Sequence, residues 1–468
     1  MRELTELSIA QQAAGIKARK ISPVELTKAY IARIEALNGK VNAFVTPTPE
    51  IALKEARAAE AAIRRGAWKG PLHGIPIGQK DLYRTKGVRT TCASKLLARH
   101  VPTEDATVVA RYKAAGTVLL GKLNTHEFAY GPTNAESAFG PSRNPWDTRR
   151  FSGGSSGGSG AAVAIGLCAG ATGSDTGGSI RIPSAACGIT GIKPTYGRAS
   201  RAGIFPLCWS MDHPGPMARS VEDCAILLQQ ICGPDPRDPT TVDRPVPNYR
   251  AALRGGVKGL KIGLPMRYFY SRALPIVEKT VLQAVDVLRS LGAKVSEVEI
   301  PHIEHAAAAA TTMYLCEASA YHDDTIGARG EEYTEQVRLY VELGNYVLAK
   351  DYLNAQRFRS LLGQEVARVL DTVDVLALPT LPITALPLGQ ETVSIRGRSD
   401  SVFSSLIRNT EPFNLTGLPV LSVPCGFDLE GMPIGLSLAG RPFDEAGLLR
   451  AGHAYQGATD WHRRRPHI

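Results

Sequence analysis

The sequence predicts an α/β fold in which a mainly parallel or mixed sheet is covered by helices. Helix and strand periodicities alternate along the chain, and neither an internal repeat nor a clear linker divides it. Hydrophobic residues make up 44% and charged residues 21%, which suits a packed core, and 468 residues stay within reach of one large unit.

The first helix opens at Ser22-Pro23-Val24-Glu25, which reads as a capping box: Ser22 at the N-cap, Pro23 in the first helical position, Glu25 three residues on. Val24, Tyr30, Ile31, Ile34 and Leu37 follow at helical spacing, with Asn38-Gly39 as the expected stop. Ala106 to Ala115 reads as a helix and Val118-Leu119-Leu120 as a strand. Leu260 to Leu264 reads as a strand, Val277 to Leu291 as a helix, and Lys294 to Val298 as another strand. One long helical stretch is expected from Thr334 to Leu370. Asp374 to Leu378 then makes a buried strand stopped by Pro379, and the Pro-rich run to Pro387 is a loop between elements.

No apolar run reaches about 18 residues, so no transmembrane helix is expected. The start, Met1 to Leu7, lacks the apolar stretch of a secretory signal. Eight cysteines (92, 168, 187, 208, 224, 232, 316 and 425) are scattered with no C-x-x-C pair. That pattern suits free thiols in a cytoplasmic protein better than a disulfide framework or a metal site. The formal charge of +10 has two readings: a basic surface that aids solubility, or attraction to nucleic acid or an anionic substrate. The first is favoured, because Arg463-Arg464-Arg465 is the one tight basic run.

The chemistry concentrates between Phe151 and Ser179. Two Gly/Ser clusters lie there, Gly153 to Gly160 and Gly173 to Ser179. Composition alone allows a flexible linker for the first. Against that, Ala161 to Ile165 is a helix former, and Ala169 to Thr172 is an apolar lead-in to the second cluster. No phosphate-cradling G-x-x-x-x-G-K-[ST] is present, and no G-x-G-x-x-G opens a helix after a strand. Glycines here let amide N–H groups converge on one point, as an oxyanion requires. Ser179-Ile180-Arg181-Ile182-Pro183 reads as a helix start, where the dipole also favours negative charge.

A nucleophilic serine needs a base. None of the ten histidines sits in a recognisable triad context. Gly153 to Gly157 matches G-x-S-x-G, but the polar Asp147 to Arg150 precedes it where a hydrolase elbow needs an apolar strand. The candidate base is Lys80, whose lead-in Gly74-Ile75-Pro76-Ile77 is apolar. The alternative is a surface lysine beside Asp81. Lowering its pKa from about 10.4 to near 7 costs roughly 4–5 kcal/mol of differential solvation, within reach of full burial.

Gly153 to Ser159, Gly173 to Arg181, Gly191-Ile192-Lys193-Pro194-Thr195-Tyr196-Gly197-Arg198 and Gly74 to Asp81 together resemble the amidase signature family. Phe413 to Pro419 and Ser422-Val423-Pro424 are similar too, so the likeness runs from Ser22 to Arg465. The resemblance implies a central twisted mixed β-sheet surrounded by α-helices. It implies a single domain over residues 1–468: a helical N-terminal segment over 1–65, the signature core over 66–230, and the rest of the sheet with the pocket helices over 231–468. It also implies a Ser–cis-Ser–Lys triad, carried over as Ser179 nucleophile, Ser155 relay and Lys80 base. The backbone N–H groups of Thr176, Gly177, Gly178 and Ser179 would form the oxyanion hole. No metal or organic cofactor is implied. Asp175 and Arg181 support the loop either as a buried ion pair or by hydrogen bonds to backbone.

The overall likeness is to the A subunits of tRNA-dependent amidotransferases, which release ammonia from glutamine for partner subunits. Thr90 to Lys95 and Asn144 to Asp147 carry it. Three departures point elsewhere. Ile182 replaces the family's Gln, Tyr314 to Ala320 stands where a Ser-Arg-Tyr-Asp-Gly run is usual, and Phe205-Pro206-Leu207-Cys208-Trp209 is bulkier than in those relatives. Tyr130, Gly131, Ile182, Cys208 and Trp209 are assigned to the substrate pocket, with a core position as the alternative for Trp209. An apolar pocket suits aryl or alkyl amides. The favoured expectation is therefore a stand-alone amidohydrolase acting with water on a small amide, anilide, ester or carbamate (urethane), through an acyl-enzyme. It would bind neither membrane nor nucleic acid, and a homodimer stays open. The alternatives are the glutaminase component of an amidotransferase, for which nucleic acid enters, and a non-catalytic scaffold.

Overall fold

The computed structural model describes residues 4–468; Met1, Arg2 and Glu3, at the start of the stretch read for a secretory signal, lie outside the described residues. The strands are β1 (Phe44–Pro47), β2 (Pro76–Lys80), β3 (Val118–Leu123), β4 (Arg143–Asn144), β5 (Asp147–Phe151), β6 (Gly170–Asp175), β7 (Thr190–Lys193) and β8 (His213–Ala218). They continue with β9 (Lys261–Leu264), β10 (Lys294–Glu297), β11 (Val375–Pro379), β12 (Thr392–Ile395), β13 (Arg398–Ser401), β14 (Val420–Phe427) and β15 (Pro433–Gly440). Eleven of them form one sheet in the order β1-β3-β2-β6-β8-β7-β14-β15-β11-β9-β10, while β4–β5 and β12–β13 are separate two-stranded pairs.

The sheet is mixed. β2 runs parallel to β3 and β6, and β9 parallel to β10 and β11, whereas β6, β7 and β14 have antiparallel neighbours. Every residue of β2, β3, β6, β7, β8 and β15 is buried, so this part of the sheet is covered on both faces. One apolar cluster runs from Ile9 to Tyr455 across the covering helices; a smaller one gathers Phe151, Ile182, Leu381 and Leu406.

Several expected elements differ in extent, for local reasons. The Ser22 helix runs over Pro23–Val41, past Asn38-Gly39, and ends where Asn42 turns left-handed at φ 50°. Ser22 accepts from the amides of Val24 and Glu25, but its hydroxyl donates to Glu60, and Glu25 pairs with Lys28. The reciprocal capping box forms instead at Ser8 and Gln11. The stretch from Thr334 is two helices, Glu335–Gly344 and Ala349–Thr372. The first ends at Gly344, which lies against the backbone of Leu315 and the side chain of Ser319 too closely for any Cβ. Strand β11 includes Pro379 rather than stopping before it. All eight cysteines are free, and no helix of the described residues is long and apolar enough to cross a membrane.

Candidate active site

Lys80 ends β2, and its side chain is completely buried, which excludes a surface lysine. Its backbone N–H donates to Thr172 Oγ1 (2.8 Å) and its Nζ donates to Ser155 Oγ (2.7 Å) and Ser174 Oγ (2.9 Å). Burial lowers its pKa to about 7 against the pull of the nearby Asp175 and Asp212 carboxylates. A lysine in this state is neutral often enough near pH 7 to accept a proton.

Ser155 lies on the loop before the helix Gly157–Ala164, and the Gly154–Ser155 peptide is cis. Gly153 to Gly160 are buried, so this segment is no linker. Gly154 passes so close to Asn134 N and Gly131 O that a Cβ would stand 2.7 Å from each. The Ser155 carbonyl accepts from His126 N (3.0 Å) and Thr125 Oγ1 (2.9 Å), which fixes the serine facing Lys80. The next residue, Ser156, donates its N–H to the carbonyl of Ser179 (3.3 Å), bringing the two glycine-rich segments together.

The second cluster begins inside β6: Gly173, Ser174 and Asp175 are strand residues, and Thr176 to Ser179 form the turn into the helix Arg181–Cys187. The carbonyls of this turn are taken up by neighbouring donors, Gly178 O by Ile182 N and Ser179 O by Ser156 N. Thr176 O accepts from Tyr314 Oη (3.4 Å) and Gly177 O from Thr410 Oγ1 (2.5 Å). Among the described residues, none of the N–H groups of Thr176, Gly177, Gly178 and Ser179 donates to a backbone carbonyl. Gly178 has φ +136°, and a Cβ there would stand 2.3 Å from Thr410 Oγ1. Free N–H groups on a turn with its carbonyls held away suit a developing oxyanion.

Asp175 and Arg181 make a buried two-point ion pair (2.8 and 2.9 Å), and Asp175 also accepts from Ile180 N (3.1 Å). The ion pair is present beside bonds to backbone, so the alternative of backbone bonds alone does not hold. Burial alone would raise the Asp175 carboxyl; the Arg181 guanidinium outweighs it and holds the group well below the usual carboxylate range. Arg181 extends the frame to Thr410 O and Asn414 Oδ1.

Ser179 opens on a slot of about 30 Å³ lined by Tyr130, Gly131, Ile182, Leu207, Phe403 and Ile407 among others. Of the five expected pocket residues, Tyr130, Gly131 and Ile182 are there. Cys208 is fully buried without lining the slot, and Trp209 is 65% exposed in the neighbouring cavities, neither slot wall nor core. Leu207 is the residue of Phe205 to Trp209 that lines the slot; with Phe205, Pro206 and Trp209 it also walls a neighbouring cavity of about 250 Å³ that Ser174 and Thr176 border. Sequence reading passes over Ser174, Asp212, Tyr314 and Thr410. Ser174 is legible as the second of two hydroxyl residues, Thr172 and Ser174, that alternate along β6 and so share one face. No local signal marks the other three. His126, near Lys80, is held neutral, its pKa brought to about 3 by burial and then by Lys80.

The family model described as Amidase matches residues 25–449. The A subunit of glutamyl-tRNA(Gln) amidotransferase from Roseiflexus sp. (strain RS-1) is 47% identical, with 99% of each chain covered. The solved structure of the corresponding Thermotoga maritima protein is 35% identical with a TM-score of 0.80, covering 96% of this chain and 94% of that one. Another, described as a vestigial protein complex revealing the evolutionary origins of an s-triazine catabolic enzyme, is 37% identical with a TM-score of 0.92, covering 96% and 98%. Full-length identity of 42–47% to amidotransferase A subunits overturns the expectation of a stand-alone amidohydrolase for apolar or aryl amides. That expectation rested on Ile182, on the stretch Tyr314 to Ala320 and on the bulk of Phe205 to Trp209, from which Ile182, Tyr314 and Leu207 line the slot beside Ser179.

Proposed function

Because the chain belongs to the amidase family, we propose that it cleaves the side-chain carboxamide of glutamine through Ser179, as the ammonia-releasing component of an amidotransferase. The observation that carries the reaction is the fully buried Lys80, its Nζ 2.7 Å from Ser155 Oγ, on a loop bonded to the Ser179 segment. The observation that favours glutamine is likeness along the whole chain to amidotransferase A subunits.

In this mechanism Ser179 Oγ attacks the amide carbon while its proton passes to Ser155, whose own proton passes to neutral Lys80. The N–H groups of Thr176 to Ser179 hold the oxyanion. Collapse breaks the C–N bond, and the proton returns through Ser155 to the leaving nitrogen, giving ammonia and a glutamyl ester on Ser179. Water then attacks the ester by the same relay, giving glutamate and free Ser179. Asp175 and Arg181 keep the turn in place.

The test is ammonia release from glutamine by the chain alone and with the partner subunits of a tRNA-dependent amidotransferase. Release that partners increase supports the reading. Hydrolysis of other amides with no glutamine turnover in either condition removes it.

A further inference from the structure

Asp212 sits just before β8 with no role in the proton relay, yet its carboxylate joins two parts of the site. Oδ1 accepts from Thr176 Oγ1 (2.6 Å) and Cys208 N (3.2 Å), and Oδ2 from Leu207 N (3.0 Å). Thr176 starts the turn with the unbonded N–H groups. Leu207 is the residue of the 205–209 segment that lines the slot over Ser179, and Asp212 with Ser174 and Thr176 borders an adjoining cavity of about 250 Å³. We propose that Asp212 is a positioning residue for amide cleavage, clamping the oxyanion turn to the loop that walls the substrate slot. The inference rests on the reading of Ser179 as nucleophile.

A turn-forming aspartate would also accept from the amides of Leu207 and Cys208, and Asp212 N itself bonds Cys208 O (2.9 Å). Two features go beyond that local role: the bond to Thr176, 36 residues away, and the reach of its charge to Lys80. Tyr83, Arg201 and Cys208 are titratable or charged groups around Asp212, and His213 follows it in the chain, while Asp175, Cys92 and His126 face Lys80. Burial raises the Asp212 carboxyl to about 6 against the hydrogen bonds from Thr176, Cys208 and Leu207, so it and Lys80 titrate over neighbouring ranges. The anion favours the ammonium form of Lys80. Removing the charge therefore lets Lys80 become neutral at lower pH.

Asp212→Asn retains one carbonyl oxygen but turns an NH₂ toward donors. It should lower kcat for glutamine roughly ten- to a hundredfold, with a smaller change in KM. Its acid limb of kcat/KM should move to lower pH, which loss of a merely local turn would not produce. Thr176→Val keeps the backbone amide but loses the clamp, and should lower kcat with the limb unmoved. An unmoved limb in folded Asp212→Asn, or undiminished kcat in Thr176→Val, overturns the inference. If Asp212→Asn does not fold, Thr176→Val decides alone. Fluorophosphonate labelling of the wild type separates the two readings. An unlabelled Ser179 fails the nucleophile assignment and the inference with it, whereas a labelled Ser179 with wild-type behaviour in the variants fails the inference only.

Discussion

At the scale of single residues the site depends on one buried amine. Lys80→Ala and Ser155→Ala should each cost several orders of magnitude in kcat, and Ser179→Ala should abolish turnover, with circular dichroism unchanged. In the proposed relay the three act as one unit, so double variants should lose little more than the worse single one. The proposed relay takes Lys80 as a neutral base, and burial brings its pKa to about 7, so kcat/KM should rise with pH along an acid limb centred there and level off above it. The same shift acts on stability with a definite sign. Between about 7 and the ordinary lysine value, the unfolded chain binds a proton that the folded one does not, so this group makes stability rise with pH across that window. A pH–rate profile flat from about pH 5 upward would remove Lys80 as the base. The apolar lead-in Ile75-Pro76-Ile77 makes the burial of Lys80 legible in the sequence. Its bond to Ser174 is not, because that contact depends on the β2–β6 register, with Ile77 beside Gly170, which no local pattern encodes.

At the scale of elements, the turn between β6 and the helix Arg181–Cys187 is held from behind by the Asp175–Arg181 pair. Asp175→Asn should destabilise the fold by about 3–5 kcal/mol in denaturant titrations, because it leaves a guanidinium buried with its charge uncompensated. Replacing both partners by apolar residues should cost less than that single change. Gly178→Ala should leave the melting temperature near that of the wild type or lower it modestly, yet depress kcat strongly. Its φ of +136° and the nearby Thr410 hydroxyl force the turn to move. Strands bounded by clear turn signals are legible: Val118 onward, Lys261 to Leu264 and Lys294 to Glu297 lie where the alternation places them. The break at Gly344 is not, because it answers a close approach to Leu315 and Ser319 on another helix. The Gly/Ser composition of residues 173–175 likewise hides a strand, since burial between β2 and β8 overrides a weak β-propensity.

At the scale of the whole molecule, the α/β class follows from the alternation of elements, but the strand order does not. Strands more than two hundred residues apart meet at β7 and β14, where Val420 pairs with Lys193. The same long-range folding brings Thr410 and Asn414 onto the Gly177 and Asp175 segments, so the frame of the site forms only when the sheet is complete. Truncation before Val420 should therefore abolish both cooperative unfolding and activity, as read by thermal melts and ammonia release. Glutamine turnover should rise when partner subunits are added. The most direct test is acid-quenched turnover of glutamine followed by peptide mass mapping. The account predicts a glutamyl ester on the peptide containing Ser179, absent in Ser179→Ala. Ammonia release that persists in Ser179→Ala, or an acyl group mapped to any other residue, would contradict it.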